Sequence, residues 1–147
     1  MLGSLVSETT GKRIVRRVVG TDPPKVEVSF EDSGTALGVT TTGFGTYSAV
    51  VRPDGSIYAE GEGLMMTQDG EVITWKGSGQ GKIGPNGSVS YSGILYFQTA
   101  SKKLAQLSSA PGVFEYEADA AGNTHGKVWA WTAGQEAERS AAASARS

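Results

Sequence analysis

Apolar residues recur at every second position along most of this 147-residue chain. Side chains of a β-strand alternate between two faces, so a period of two marks strands with one face buried and the other in water. Lys25 to Phe30 is the cleanest case: Val26, Val28 and Phe30 share one face, and Lys25, Glu27 and Ser29 the other. The same reasoning predicts strands over Lys12–Val19, Val39–Val51, Ser56–Gln68, Glu71–Gly79, Ser88–Thr99, Val113–Ala118 and Lys127–Thr132. Pro53-Asp54-Gly55, Asp69-Gly70 and Gly84-Pro85-Asn86-Gly87 supply the turns between them, because proline presets φ and glycine accepts positive φ. Ser101–Leu107 is the one expected helical turn, with Ser101 placed to cap it and Leu104 and Leu107 three apart. The fold class expected is all-β: a closed antiparallel barrel of about eight strands with one short helical turn. Closure follows from the many short hairpins, since it removes exposed sheet edges.

A chain of this length forms one domain and buries about two thirds of its unfolded surface without help from disulfides or metals. Residues 1–133 are read as that domain. Residues 134–147 carry no large apolar side chain and are expected to be a disordered tail, although their alanines suit a short helix. Composition then excludes several functions. The net charge of −2 gives no basic surface for nucleic acid, so no nucleic-acid partner is expected. There are no cysteines, which removes disulfides, thiol nucleophiles and cysteine-ligated metals. The single histidine, His125, rules out a metal site of two or three histidines within one chain. No metal or cofactor is expected. The first ten residues lack a basic segment followed by an apolar run, and no stretch approaches ~20 apolar residues, so a cytoplasmic location and no membrane partner are expected.

Glycine is abundant, at 21 residues, and much of it lies inside strands. Gly43 and Gly45, Gly61 and Gly63, and Gly77, Gly79 and Gly81 are spaced by two, so each set shares one face. Interior glycine weakens a strand and needs a geometric reason. Two are available: coiling of the strands around a small barrel, or room for a ligand. Gly77-x-Gly79-x-Gly81 lacks the strand-to-helix context of a dinucleotide loop, so no nucleotide role follows.

The stretch Ser101-Lys102-Lys103-Leu104-Ala105-x-Leu107, followed by Gly112-Val113-Phe114, resembles the short turn and next strand of allene oxide cyclase-like barrels. Dirigent proteins and uncharacterised bacterial domains share that barrel, and the in-strand glycine pairs are similar. The resemblance covers roughly residues 35–132. This chain has Thr99 and Ser101 where the family usually carries glycines before the turn. No catalytic motif of the family is present, so the resemblance implies the fold, a homo-dimer or homo-trimer, and a cavity for a small apolar molecule, but no particular activity.

Candidate chemistry is sparse. Glu60 and Glu62 share a strand face with Tyr58, opposite Ala59, Gly61 and Gly63. Either they solvate the outside, or the glycines face out and both acids point into the lumen, where two carboxylates can divide acid and base roles. Glu115 and Glu117 oppose Phe114 and Tyr116 and are expected outside. His125 reads as a solvated residue near a hairpin turn. Lys12, Arg13, Arg16 and Arg17 read as a charge-protected edge strand, with phosphate binding the alternative. Trp75, Trp129 and Trp131, with Tyr47, Tyr91 and Phe97, are expected in the core, and some of them line a ligand if the interior is open. The candidate ligand-binding set is Tyr47, Glu60, Glu62, Trp75, Tyr91 and Phe97, and no catalytic residue is assigned. Three functions remain: a barrel that binds a small apolar molecule, an isomerase- or cyclase-type enzyme using a lumen carboxylate, and a structural module that forms oligomers without a ligand.

Overall fold

The computed structural model describes residues 2–132. Eight strands form a closed antiparallel barrel: β1 (Leu2–Thr21), β2 (Pro24–Ala36), β3 (Val39–Val51), β4 (Ser56–Thr67), β5 (Val72–Ile83), β6 (Val89–Thr99), β7 (Gly112–Ala118) and β8 (Asn123–Trp131). They follow one another around the barrel in chain order, and β8 closes on β1. The stretch expected to be a disordered tail, 134–147, lies outside the described residues.

Several boundaries differ from the sequence reading: β5 runs on to Ile83 rather than Gly79, and β8 begins at Asn123 rather than Lys127. β1 begins at Leu2 rather than Lys12. Its first half is rich in Gly, Ser and Thr and shows no apolar alternation, yet it pairs with β2 on one side and β8 on the other. Val6 and Ser7 are buried there. β2 does not stop at Phe30. It continues to Ala36, and the inward face of Val28 and Phe30 runs on through Asp32 and Gly34. The helical turn is also displaced. Leu104 N–H donates to Ser101 Oγ at 3.3 Å, and a 3-10 helix then spans Ala105–Ser109.

Two apolar clusters fill the barrel from its ends. One gathers Ala36, Met65, Ile73, Leu95 and Phe97 beneath Leu104 and Leu107, so the β6–β7 connection plugs that end. Full burial of each leucine stabilises the plug by roughly 1.5–3 kcal/mol. The other gathers Val28, Phe30, Tyr47, Ala49, Ile57, Ala59 and Tyr91. Trp75 and Phe114 touch both.

Gly45, Gly63 and Gly79 face inward and seat aromatic rings. Phe30 pairs with Gly45, Gly45 with Gly63, Gly63 with Trp75 and Trp75 with Phe97, so two bare glycines lie between Phe30 and Trp75 along one line across the sheet. A Cβ on Gly63 would stand 2.5 Å from the Trp75 indole, and one on Gly45 would stand 2.8 Å from it. The indole therefore lies directly on the backbone of two strands.

Trp129 and Trp131 are a correction. They face outward, because Thr124 and Val128 occupy the inner face of β8 and are buried. Trp131 is 45% exposed. Trp75 faces inward but is only partly buried, since part of its surface lines open space in the lumen.

Candidate functional site

Between the two clusters the barrel holds a cavity of about 110 Å³. Its walls are aromatic: Phe30, Tyr47, Trp75, Tyr91, Phe97 and Tyr116 all border it. Phe30 sits at the centre, stacked on Trp75 at 6.2 Å between ring centroids and tilted against Tyr116 at 5.6 Å. Tyr47 meets Tyr91 edge-on at 5.7 Å and Tyr116 at 6.0 Å. Such tilted and edge-to-face contacts suit the charge distribution of aromatic rings.

Polar groups enter this wall where β1 and β2 meet. Asp32 is the carboxylate that β2 turns inward, with Ser7 and Thr9 beside it on β1. Its cross-strand neighbours are both glycine: Gly11 on β1 and Gly43 on β3. A Cβ on Gly43 would stand 2.9 Å from Asp32 Oδ1, and one on Gly11 would stand 2.8 Å from Asp32 Cβ. Glycine on both sides is what gives the carboxyl its place in the wall. Burial pushes the Asp32 pKa above the ordinary aspartate value, and a hydrogen bond from the Thr9 hydroxyl partly offsets this. An acid held protonated in an apolar site can donate a hydrogen bond or a proton near neutral pH.

Burial also raises the pKa values of Tyr47, Tyr91 and Tyr116, so their hydroxyls remain donors. Tyr116 Oη is buried and makes no hydrogen bond of good geometry among the described residues.

Of the residues singled out in the sequence, Tyr47, Trp75, Tyr91 and Phe97 come together around the cavity. Glu60 and Glu62 do not. Ile57, Ala59 and Met65 take the inner face of β4, so alternation turns both acids out to water. Tyr58 donates to Glu60 Oε1 at 2.7 Å on that outer surface, and Lys76 Nζ lies 3.9 Å from Glu62 Oε2. Sequence reasoning missed Asp32, Thr9 and Tyr116. Asp32 was within reach, because it continues the Val26, Val28, Phe30 alternation by one step. Tyr116 shares the inward face with Phe114.

His125 lies in β8 rather than in a turn, on the outer wall. Its Nε2 is 2.7 Å from Glu8 Oε2, and its Nδ1 is 3.8 Å from Glu117 Oε1. The hydrogen bond from His125 lowers the pKa of Glu8. This trio does not reach the lumen. Among the described residues, no group of three or more His, Asp or Glu side chains is arranged to hold a metal ion, and no helix is long and apolar enough to cross a membrane.

No family model matches the sequence, and no curated protein matches it. The fold is nevertheless found in solved structures. A protein of unknown function from Clostridium acetobutylicum ATCC 824 superposes with a TM-score of 0.75 at 18% identity, covering 87% of this chain and 97% of that one. A conserved protein of unknown function from Rhodopseudomonas palustris gives 0.66 at 16% identity, covering 87% and 99%. An enzyme from Penicillium herquei gives 0.59 at 14% identity, covering 86% and 92%. At these identities the likeness is one of fold: this chain is built as the same kind of closed eight-stranded barrel as uncharacterised bacterial proteins.

Proposed function

We propose that the barrel binds a small, largely apolar molecule in its lumen, with Asp32 hydrogen-bonding a polar group of that molecule. One observation carries the reading: an inward carboxyl flanked by glycine on both neighbouring strands, on the wall of an aromatic cavity. A partly buried acid in an apolar wall is costly to keep in a fold, and a barrel needing only stability would hold an apolar residue there. Size narrows the ligand. Cavities of ~150 Å³ take up benzene, whereas pockets for larger ligands run to ~300–1,000 Å³. The volume of about 110 Å³ suits a single ring.

A second reading, catalysis of the isomerase or cyclase kind, draws support from the same carboxyl, since a protonated acid in an apolar site is equipped for general acid work. The resemblance to allene oxide cyclase-like barrels and the fold shared with an enzyme at 14% identity are compatible with it, but fold alone does not carry function. The binding reading requires less of the site and is preferred.

Tryptophan fluorescence tests it. Replacing Trp129 and Trp131 by Phe leaves Trp75 as the reporter. Toluene and benzyl alcohol are expected to give saturable changes, with benzyl alcohol bound more tightly. Asp32→Leu is expected to abolish that preference, about tenfold or ~1.4 kcal/mol, while toluene still binds. Absence of saturable change with either probe would overturn the reading.

A further inference from the structure

The tyrosine side of the cavity is short of acceptors. Tyr47, Tyr91 and Tyr116 pack against one another at 5.7–6.3 Å between ring centroids, and each brings a hydroxyl. Among the described residues Tyr116 Oη has the Tyr47 hydroxyl beside it but makes no hydrogen bond of good geometry. A buried hydroxyl without a full hydrogen bond is unfavourable, so the chain alone leaves this wall incomplete.

A positive charge stands at the β7–β8 turn beside this wall. β1 pairs with β8 as far as Lys12, and Arg13 is the first residue beyond. It pairs with Phe30, whose ring touches Tyr47 and Tyr116, so it lies on the inward-facing side of β1. Its backbone N–H donates to Gly122 O at 2.8 Å, anchoring it on the β7–β8 turn. A Cβ on Gly122 would lie 3.6 Å from Arg13 Cβ and 3.8 Å from its Nη2. Arg16 follows at the rim, paired with buried Val28. Neither arginine joins an ion pair among the described residues, whereas Arg17 next to them pairs with Glu27. The Arg13 charge is felt by all three tyrosines.

We infer that Arg13 and the Tyr47, Tyr91 and Tyr116 hydroxyls form an anion subsite, and that the ligand is a carboxylate whose apolar ring occupies the cavity. The inference rests on the binding reading above and names its ligand class. A carboxylate offers about four acceptor positions, which matches a wall of hydroxyl donors beside an unpaired guanidinium. Glu115 and Lys127 also border the cavity and offset each other, so a cationic ligand would face Arg13 and Arg16 against Asp32, and the local charge disfavours it.

The test compares benzoate, benzyl alcohol and toluene by Trp75 fluorescence at neutral pH, in the wild type and in Arg13→Gln, each carrying the Trp129→Phe and Trp131→Phe changes. Benzoate is expected to bind at least tenfold more tightly than benzyl alcohol in the wild type. Arg13→Gln is expected to remove that advantage and leave benzyl alcohol and toluene unchanged, which also shows that the variant folds. The inference is overturned if benzoate binds no better than benzyl alcohol, or if Arg13→Gln weakens all three probes alike. In both cases saturable binding of the neutral probes leaves the binding reading standing. If none of the three binds, both fall together.

Discussion

Adding one methyl group at Gly63 tests whether the glycines exist to seat rings. A Cβ there would stand 2.5 Å from the Cε2, Cζ2 and Nε1 atoms of Trp75, about 1 Å inside ordinary contact. The indole cannot retreat easily, because it lies on Gly45 as well, at 2.8 Å from a Cβ built there, and stacks on Phe30. Overpacking of this kind costs roughly 1–3 kcal/mol. With the ring removed in Trp75→Leu, the same Gly63→Ala change meets no indole, and the intrinsic preference for alanine over glycine, about 0.5–1 kcal/mol, is expected to dominate. The two substitutions should therefore be coupled by about 2 kcal/mol, with Gly63→Ala changing from destabilising to neutral or stabilising. Urea denaturation of the four proteins of the double-mutant cycle measures this. Additivity within ~0.5 kcal/mol would refute the packing argument and favour glycine as a device for strand coiling alone.

Other outcomes follow from the same geometry. Asp32 has a raised pKa in the fold, so its contribution to stability is fully present below its unfolded value and is lost as pH rises through the folded one. Asp32→Asn is expected to be more stable than the wild type at pH 8, with the gap closing toward pH 3. Thermal melts at both pH values check this, and a gap that widens on acidification would contradict it. Glu60→Gln and Glu62→Gln are expected to shift stability by no more than ~0.5 kcal/mol and to leave probe binding unchanged, because both acids face water. Tyr47, Tyr91 and Tyr116, whose pKa values burial raises, are expected to resist ionisation beyond the ordinary ~10. Their stabilising effect is lost as pH rises past that value, so their ultraviolet titration should coincide with unfolding rather than precede it.

The barrel was legible from alternation because a strand with one wet face writes its period into the sequence. Lys25–Phe30 and Ser88–Thr99 did so plainly. The first half of β1 did not, because its inner residues Ser7 and Thr9 and its Gly11 are small or polar, and burial there depends on partners far along the chain. The same cause hid the site. Asp32 looked like the end of a strand, since a carboxylate after Phe30 is ordinarily a sign of solvent. Alternation from Phe30 points it inward, and the pairing with Gly11 and Gly43 shows why the inner wall has room for it. The opposite error affected Trp129 and Trp131. Large aromatics were expected inside, but the inner face of β8 has Gly126 in register with Tyr116, so the space is already filled from the facing strand. The alternation alone does not decide Glu60 and Glu62, because the face opposite them, Ala59, Gly61 and Gly63, fills little space; Ile57 and Met65 toward the strand's ends decide it.

The central claim is that Asp32 is a lumen acid which meets the ligand, and NMR titration of its side-chain carboxyl carbon tests this most directly. The expected midpoint lies above the ~3.9 of an unperturbed aspartate, and saturating benzyl alcohol is expected to move both the resonance and its midpoint. A midpoint at or below the ordinary value, with no response to the probe, would contradict the account and remove Asp32 as a contact for the ligand.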